Sequence, residues 1–488
     1  MGKAGTSFVD VLIVGAGLSG IGAACHLSQD CPERTFTILE SRESLGGTWD
    51  LFRYPGIRSD SDMFTLGYEF KPWTEEKSIA DGPSILKYLT DTATEYGIDR
   101  AIQFNSKVVA ASWSSSAQRW RVTVEHVESG EQSLIDCSFL YLNTGYYRYD
   151  RGYTPDFVGR ETFAGEWVHP QFWPDTFDAT DKSIVVIGSG ATAVTVVPRL
   201  AETAAHVTLL QRSPTYIFTS PDRDQSADRL RRLLPEAWAY KIVRARNIAR
   251  STVFYQLSRR RPGIVKNLLL KNLAAQLPEG YDVGTHFTPR YNPWDQRVCL
   301  DPNGRLLKAI SNGSVTMVTD HISSITETGV ALQSGRTLDA DVIVCATGLE
   351  LQMLGGITLA VDGRRIDPGS TVTYRGMMIS GVPNLAFTTG YTNASWTLKA
   401  DLVARYVCRL LNQMRREAMA VVTPALCDEA MEKKSSFALD SGYVQRSQNQ
   451  IPLQGVKKPW KLHQNYPLDF IDLRFGKLDN SVEFLSKR

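Results

Sequence analysis

Gly15-Ala16-Gly17-Leu18-Ser19-Gly20 and Gly188-Ser189-Gly190-Ala191-Thr192-Ala193 are glycine-rich runs of one pattern, set about one domain apart. The first comes after the apolar run Val9–Val14 and the second after Ile184–Ile187. In each, the first glycine makes a tight strand-to-helix turn and the second lets a pyrophosphate approach the backbone. The third small residue, Gly20 or Ala193, lets the helix pack on its sheet. The helix N-terminus then faces the phosphate charge. The next strand downstream of each run tells the two apart. Twenty residues past Gly20, Thr37–Leu39 ends in Glu40, an acid placed to bind ribose hydroxyls and repel a 2′-phosphate. Nineteen residues past Ala193, Val207–Leu210 ends in Gln211-Arg212-Ser213, a cation and a hydroxyl suited to that phosphate. The first unit therefore reads as an FAD site built on Gly15, Gly17, Ser19, Gly20 and Glu40. The second reads as an NADPH site built on Gly188, Ser189, Gly190, Thr192, Ala193, Arg212 and Ser213.

The elements that must hold these turns emerge from pattern. Residues 9–40 read as strand, helix, strand, and Pro83–Gly97 has helical spacing. Gln103–Trp113 and Arg119–His126 alternate like antiparallel strands. Phe139–Leu142 returns as a strand to Asn143-Thr144-Gly145, and Asp341–Cys345 repeats that logic before Ala346-Thr347-Gly348. Such turns are where a chain crosses between nucleotide domains. The expected fold is α/β, two dinucleotide-binding domains of the glutathione-reductase type with a helical insertion. The FAD domain takes 1–146 and, with the C-terminal segment, 348–488. The NADPH domain takes 147–218 and 291–347, and the insertion takes 219–290. Leu398–Arg415 has a long helical pattern, and the last fifty residues read as loop-rich.

Composition sets the bounds. The 488 residues carry 43% apolar and 22% charged side chains, ordinary for a globular enzyme. No run of eighteen apolar residues suggests a membrane span, and no signal segment precedes the first strand. Met1-Gly2-Lys3-Ala4-Gly5-Thr6 fits a loose myristoylation pattern that nothing else supports. Seven scattered cysteines without a CxxC pair suggest a reducing, cytoplasmic setting and argue against a dithiol reductase. No metal-ligand cluster stands out. Net charge is +2, yet Arg229–Lys271 holds 12 Lys/Arg against one acid, Glu236. That segment reads three ways: a solvated insertion, a surface for acidic partners, or a face resting peripherally on anionic membrane. Nucleic acid is not indicated, since no reader motif accompanies the charge.

Phe163-Ala164-Gly165-Glu166-Trp167-Val168-His169-Pro170-Gln171-Phe172-Trp173-Pro174 fits F-x-G-x3-H-x3-W-P. With Gly46-Gly47-Thr48-Trp49 and Arg53-Tyr54-Pro55-Gly56, it resembles the type I Baeyer–Villiger monooxygenases. The resemblance runs from the first strand through Asn393–Lys399. Gly46–Asp62 and Tyr291–Arg297 are most similar to one branch, the mycobacterial ethionamide-activating monooxygenase group. It implies an FAD- and NADPH-dependent enzyme that uses molecular oxygen. Ketones become esters or lactones by way of a peroxyflavin, and sulfides or thioamides are S-oxygenated. A peroxyanion wants a fixed cation nearby. In the family an arginine serves, matched here by Arg297, with an aspartate beside it matched by Asp60. Both are expected to be catalytic. Gly47, Thr48, Trp49, Arg58, Asp60 and Val108 join the cofactor-binding set, and Trp396 stacks near the nicotinamide or simply fills core. His169, in the linker, suits packing better than catalysis. Gln296 departs from the family, where many members carry a lysine that helps bind the 2′-phosphate. NADPH preference would then lean on Arg212 and Ser213. Two rivals remain: an N- or S-oxygenating flavin monooxygenase of the sister family, and an NADPH-dependent flavoprotein reductase serving a protein partner.

Overall fold

In the computed structural model, residues 7–437, 441–477 and 481–487 are described. Met1–Thr6, with its myristoylation pattern, lies outside them. Two sheets organise the chain. The larger runs Arg364–Ile366, Thr358–Val361, Ser106–Ser114, Arg119–His126, Gln132–Leu142, Ser7–Val14, Phe36–Leu39, Ile102–Gln103, with Leu385–Phe387 beside the end of Gln132–Leu142. Its fully apolar strand ends pair in parallel, Val14 opposite both Leu39 and Leu142. Ser106–Ser114 and Arg119–His126 pair antiparallel, as their alternation requires. The smaller sheet is all parallel: Val315–Thr319, His206–Gln211, Ser183–Ile187, Val342–Cys345, Glu166–Val168. Within it, Ile184–Ile187 and Val342–Cys345 read as unbroken apolar runs because helices and a three-stranded antiparallel sheet cover its faces. Between the sheets the chain passes through Tyr147–Gly152 and Leu349–Leu351, which pair antiparallel as a two-stranded ribbon. The α/β expectation holds.

Helix Leu18–Asp30 starts in the first glycine run and packs on the long helix Trp396–Arg416. Helix Ala191–Leu200 starts in the second. The basic segment forms three helices, Gln225–Leu233, Glu236–Arg260 and Pro262–Ala274. It is not merely solvated. Arg244 is buried on the middle helix and donates to the carbonyls of Phe64 at 2.7 Å and Gly67 at 2.8 Å. Its Nη2 stands 3.6 Å from buried Asp401 on the long helix, whose other oxygen meets His26 at 3.4 Å. Burial works against the Asp401 charge, but His26 and Arg244 outweigh it and hold the carboxyl below its usual range. Asn247 adds a bond to Asp62 at 2.9 Å. The short helix Met63–Leu66 is thus clasped between the insertion and the long helix.

The C-terminal region is more regular than expected. Tyr466–Phe475 is a helix, capped by the Asn465 side chain accepting from the Leu468 amide, with Pro467 in its first turn. Val482–Ser486 pairs with Met419–Pro424. The cap and the proline were readable signals. The strand was not, being five residues long and half exposed. All seven cysteines are free, and only Cys427 is exposed.

Candidate active site

The first glycine run and the start of helix Ala191–Leu200 line one cleft of about 1400 Å³, whose walls also carry Arg58, Asp60, Tyr146, Arg297 and Trp396. The two glycine turns are seated alike. Gly15 has φ +102°, and a Cβ there would stand 2.6 Å from the Asn143 carbonyl. Gly188 has φ +144°, and a Cβ there would stand 2.3 Å from the Ala346 carbonyl. Both carbonyls belong to turns at which the chain leaves one sheet for the other. Only glycine lets the fingerprint turn and the crossing touch.

Glu40 ends its strand buried on the cleft wall. It accepts from the Ala16 amide at 2.7 Å and the Arg42 amide at 3.0 Å, so its position is fixed by the glycine turn itself. Burial raises its pKa, opposed by those two amides. Behind it, Asp50 pairs with Arg42 at 2.5 Å and accepts from Ser44 at 2.6 Å, tying the Glu40 loop to helix Thr48–Leu51. Gly47, Thr48, Trp49 and Val108 all face the cleft. Ser19 accepts at 2.7 Å from the indole N–H of Trp396, whose ring centroid is 5.1 Å from that of Tyr146. Trp396 therefore belongs to the wall of the first glycine unit. Asn143 is buried there with both side-chain amide atoms unpartnered among the described residues. An unsatisfied donor and acceptor side by side fit a flavin ring edge, which alternates the same two functions. The Glu40 carboxylate and the glycine turn fit the ribose and pyrophosphate.

The second unit contributes Ala191 and Thr192 to the cleft. Gly190 has open space where a Cβ would lie, which fits an approaching phosphate. Arg212 and Ser213 are exposed and lie beyond the cleft lining, as the far end of a dinucleotide would require. The motif Arg53-Tyr54-Pro55-Gly56 joins the two units. Gly56, at φ +80°, lies so close to helix Ala191–Leu200 that a Cβ would meet Arg199 Cγ at 2.7 Å and the Thr195 carbonyl at 3.2 Å. His169 is packed against Gly152 in the two-stranded ribbon and accepts from the Gln171 amide at 3.2 Å. It stands outside the cleft lining, and burial lowers its pKa.

Arg297 and Asp60 face the same cleft, but they are not an ion pair. Arg297 Nη2 donates to the Tyr146 hydroxyl at 3.1 Å, and its Nε is buried without a partner among the described residues. Asp60 lies 3.9 Å from Arg58 Nη2 instead, and the same Arg58 nitrogen donates to the Leu300 carbonyl at 2.5 Å. Asp60 thus stands near Arg297, as expected, but the direct Asp–Arg pair that was expected is not formed among the described residues. The Arg58–Asp60 turn folds back on itself, so the nearer guanidinium takes the carboxylate. Burial raises the Asp60 pKa, with Arg58 and then Arg297 opposing it. Burial keeps Tyr146 a neutral phenol, and the Arg297 guanidinium stays cationic beside it despite its own burial. The Tyr291–Arg297 segment is anchored from outside, Asp295 by Arg259 of the insertion at 2.5 Å and the Tyr291 carbonyl by Tyr216 at 2.6 Å.

Sequence reasoning did not single out Asn143 or Tyr146 as site residues. The only signal was their place in the crossing turn, which was read for topology alone.

A family model described as flavin-binding monooxygenase-like matches residues 79–354, and one for an NAD(P)-binding Rossmann-like domain matches residues 13–71. The chain is 53% identical over 485 residues to the FAD-containing monooxygenase EthA of Mycobacterium tuberculosis, covering 99% of each. It is 48% identical over 482 residues to the probable FAD-binding monooxygenase AlmA of Acinetobacter baylyi, covering 98% of this chain and 96% of that one. Among solved structures, an oxidised steroid monooxygenase bound to NADP superimposes with a TM-score of 0.78 at 22% identity, over 99% of this chain and 100% of that one. An ε-caprolactone-bound cyclohexanone monooxygenase gives 0.76 at 19% identity, over 98% and 100%. These two share the fold. A cleft shaped for two dinucleotides thus comes with full-length sequence likeness to FAD-containing oxygenases, and the chain belongs to the flavin-binding monooxygenase family.

Proposed function

We propose that this protein is an NADPH-dependent Baeyer–Villiger monooxygenase that converts ketones to esters or lactones and oxygenates sulfides and thioamides. The observation that carries this reading is Arg297, a cation in the shared cleft whose hydrogen bond goes to a neutral phenol. Its charge is not cancelled by a carboxylate within ion-pair distance among the described residues, so it is available to an oxyanion developing beside it. FAD, when bound and reduced, supplies the activation of oxygen. Glu40 would hold its ribose, and Asn143 its ring edge. Arg212 and Ser213 would take the 2′-phosphate of NADPH, with Gln296 in place of a helping lysine. Arg58 holds Asp60 near Arg297 without pairing it to Arg297, so that carboxylate tunes the cation from a distance. Sulfur oxygenation needs an electrophilic oxygen and no stabilised anion, so the same cleft serves both reactions. The likeness to steroid and cyclohexanone monooxygenases supports carbonyl chemistry, and the likeness to EthA supports an FAD enzyme.

The same reading divides the chain as 1–146 with 348–488 for FAD, 147–218 with 291–347 for NADPH, and 219–290 as the insertion. The test is turnover of a cyclic ketone with NADPH under oxygen-18. One labelled oxygen in a lactone product is expected. Consumption of NADPH with no label in any product would assign a reductase, and label only in sulfoxide or N-oxide would assign the sister chemistry.

A further inference from the structure

We propose that helices Glu236–Arg260 and Pro262–Ala274 dock this protein on an anionic lipid surface. Trp238 and Val253 are each 64% exposed, and Ile242 and Leu257 are exposed with them. Ala245 and Ala249, also exposed, fill the interval between these residues. At helical spacing the six form one stripe about 28 Å long, at ~1.5 Å per residue. The opposite face of this helix, at Ala239, Tyr240, Val243 and Arg244, is the one buried against the molecule. Apolar residues on the solvent side are therefore not core. Ile264 and Leu268 on the next helix are exposed at 59% and 51%. Scattered exposed apolar residues are ordinary, but an aligned row of them marks a contact surface.

The charge around the row selects the occupant. Lys241 sits 5.9 Å over the Trp238 ring, and Arg260, Arg261 and Lys271 are exposed at the ends of the helices. Of the 12 Lys/Arg in Arg229–Lys271, Arg244 is buried against Asp401, Arg246 pairs with Asp224 and Arg259 with Asp295, which leaves nine with no carboxylate in ion-pair distance among the described residues. A two-fold pairing with a second copy would set these cations against themselves. Lipid headgroups carrying negative charge neutralise them while the stripe enters the acyl boundary. No helix among the described residues is long and apolar enough to cross a membrane, so the contact lies in the surface plane. The same helix lines the catalytic cleft through Asn247, Arg250, Ser251 and Phe254. Docking would set that wall beside the bilayer.

The experiment is flotation of the FAD-loaded full-length protein with vesicles of phosphatidylcholine alone or mixed with phosphatidylglycerol. Binding to the mixed vesicles, weakened by salt, is expected, with little to the neutral ones. Trp238→Glu with Val253→Glu should lower the bound fraction about tenfold or more. Arg260→Gln with Lys271→Gln should lower it several-fold. In both pairs, NADPH oxidation in vesicle-free buffer should stay at the wild-type rate, since none of these four lines the cleft. Absence of flotation, or flotation untouched by either pair, overturns the proposal. A dimer in sedimentation that Trp238→Glu with Val253→Glu dissolves would assign the stripe to a second copy and overturn it equally.

Discussion

Arg297 donates to a phenol that burial keeps neutral, so its full charge faces the cleft. Removing a preorganised partner of this kind costs about 10²- to 10³-fold in the step it serves. For Arg297→Ala, flavin reduction by NADPH should persist, ester formation should be lost, and hydrogen peroxide should appear in its place. Sulfoxidation should fall less. Stopped-flow reduction, peroxide release and ester yield on the same variant decide this, and wild-type ester yield would remove Arg297 from the mechanism. Tyr146→Phe keeps the cation but frees its side chain, so a loss of about tenfold in kcat with little change in KM is expected. At the outer end, Arg212→Ala should raise KM for NADPH roughly 10- to 100-fold and leave NADH nearly unchanged. Equal loss for both cofactors would make Arg212 structural. Glu40 and the two glycine runs were legible in the sequence because strand, turn and helix fix their spacing locally. The partner of Asp60 was not, because it depends on which of two guanidinium groups a folded loop brings nearer.

At the scale of elements, the basic insertion is held in part by one buried cation, beside bonds such as Asn247 to Asp62. Arg244 satisfies two carbonyls at the end of helix Met63–Leu66 and faces Asp401. Removing one member of a buried pair costs about 3–5 kcal/mol, because the other charge is left in low dielectric. Arg244→Met should lower the thermal midpoint measurably. An unchanged midpoint would mean the clasp is carried by apolar packing. Gly56→Ala tests the other joint. The left-handed φ and the contact with Arg199 mean a methyl must push the loop off helix Ala191–Leu200. FAD content should be retained while reduction by NADPH slows. Sequence pattern found the helical insertion and the βαβ units, since apolar periodicity reports local burial, but not the one-turn helix Met63–Leu66. It marked Arg244 only as one of many cations, because nothing in a helical run distinguishes an arginine that points inward.

The whole molecule has one sheet made from both ends of the chain and another made from its middle. The two Thr-Gly crossings were visible in the sequence. The sheet order was not, because Leu385–Phe387 is three residues long and its partner Gln132–Leu142 lies far upstream. This interleaving has a consequence during synthesis. When residue 142 has left the ribosome, Ser106–Ser114 still lacks its neighbour Thr358–Val361, and the end of Gln132–Leu142 still lacks Leu385–Phe387. The smaller sheet, whose strands all lie between Glu166 and Cys345, is complete before either arrives. The nascent chain therefore carries two open strand edges through the whole translation of the middle of the protein, the kind of edge that recruits other chains. A ribosome-stalled chain ending at residue 347 should bind holdase chaperones and take up no FAD, and one extended past residue 416 by the length of the exit tunnel should lose the first property as it gains the second.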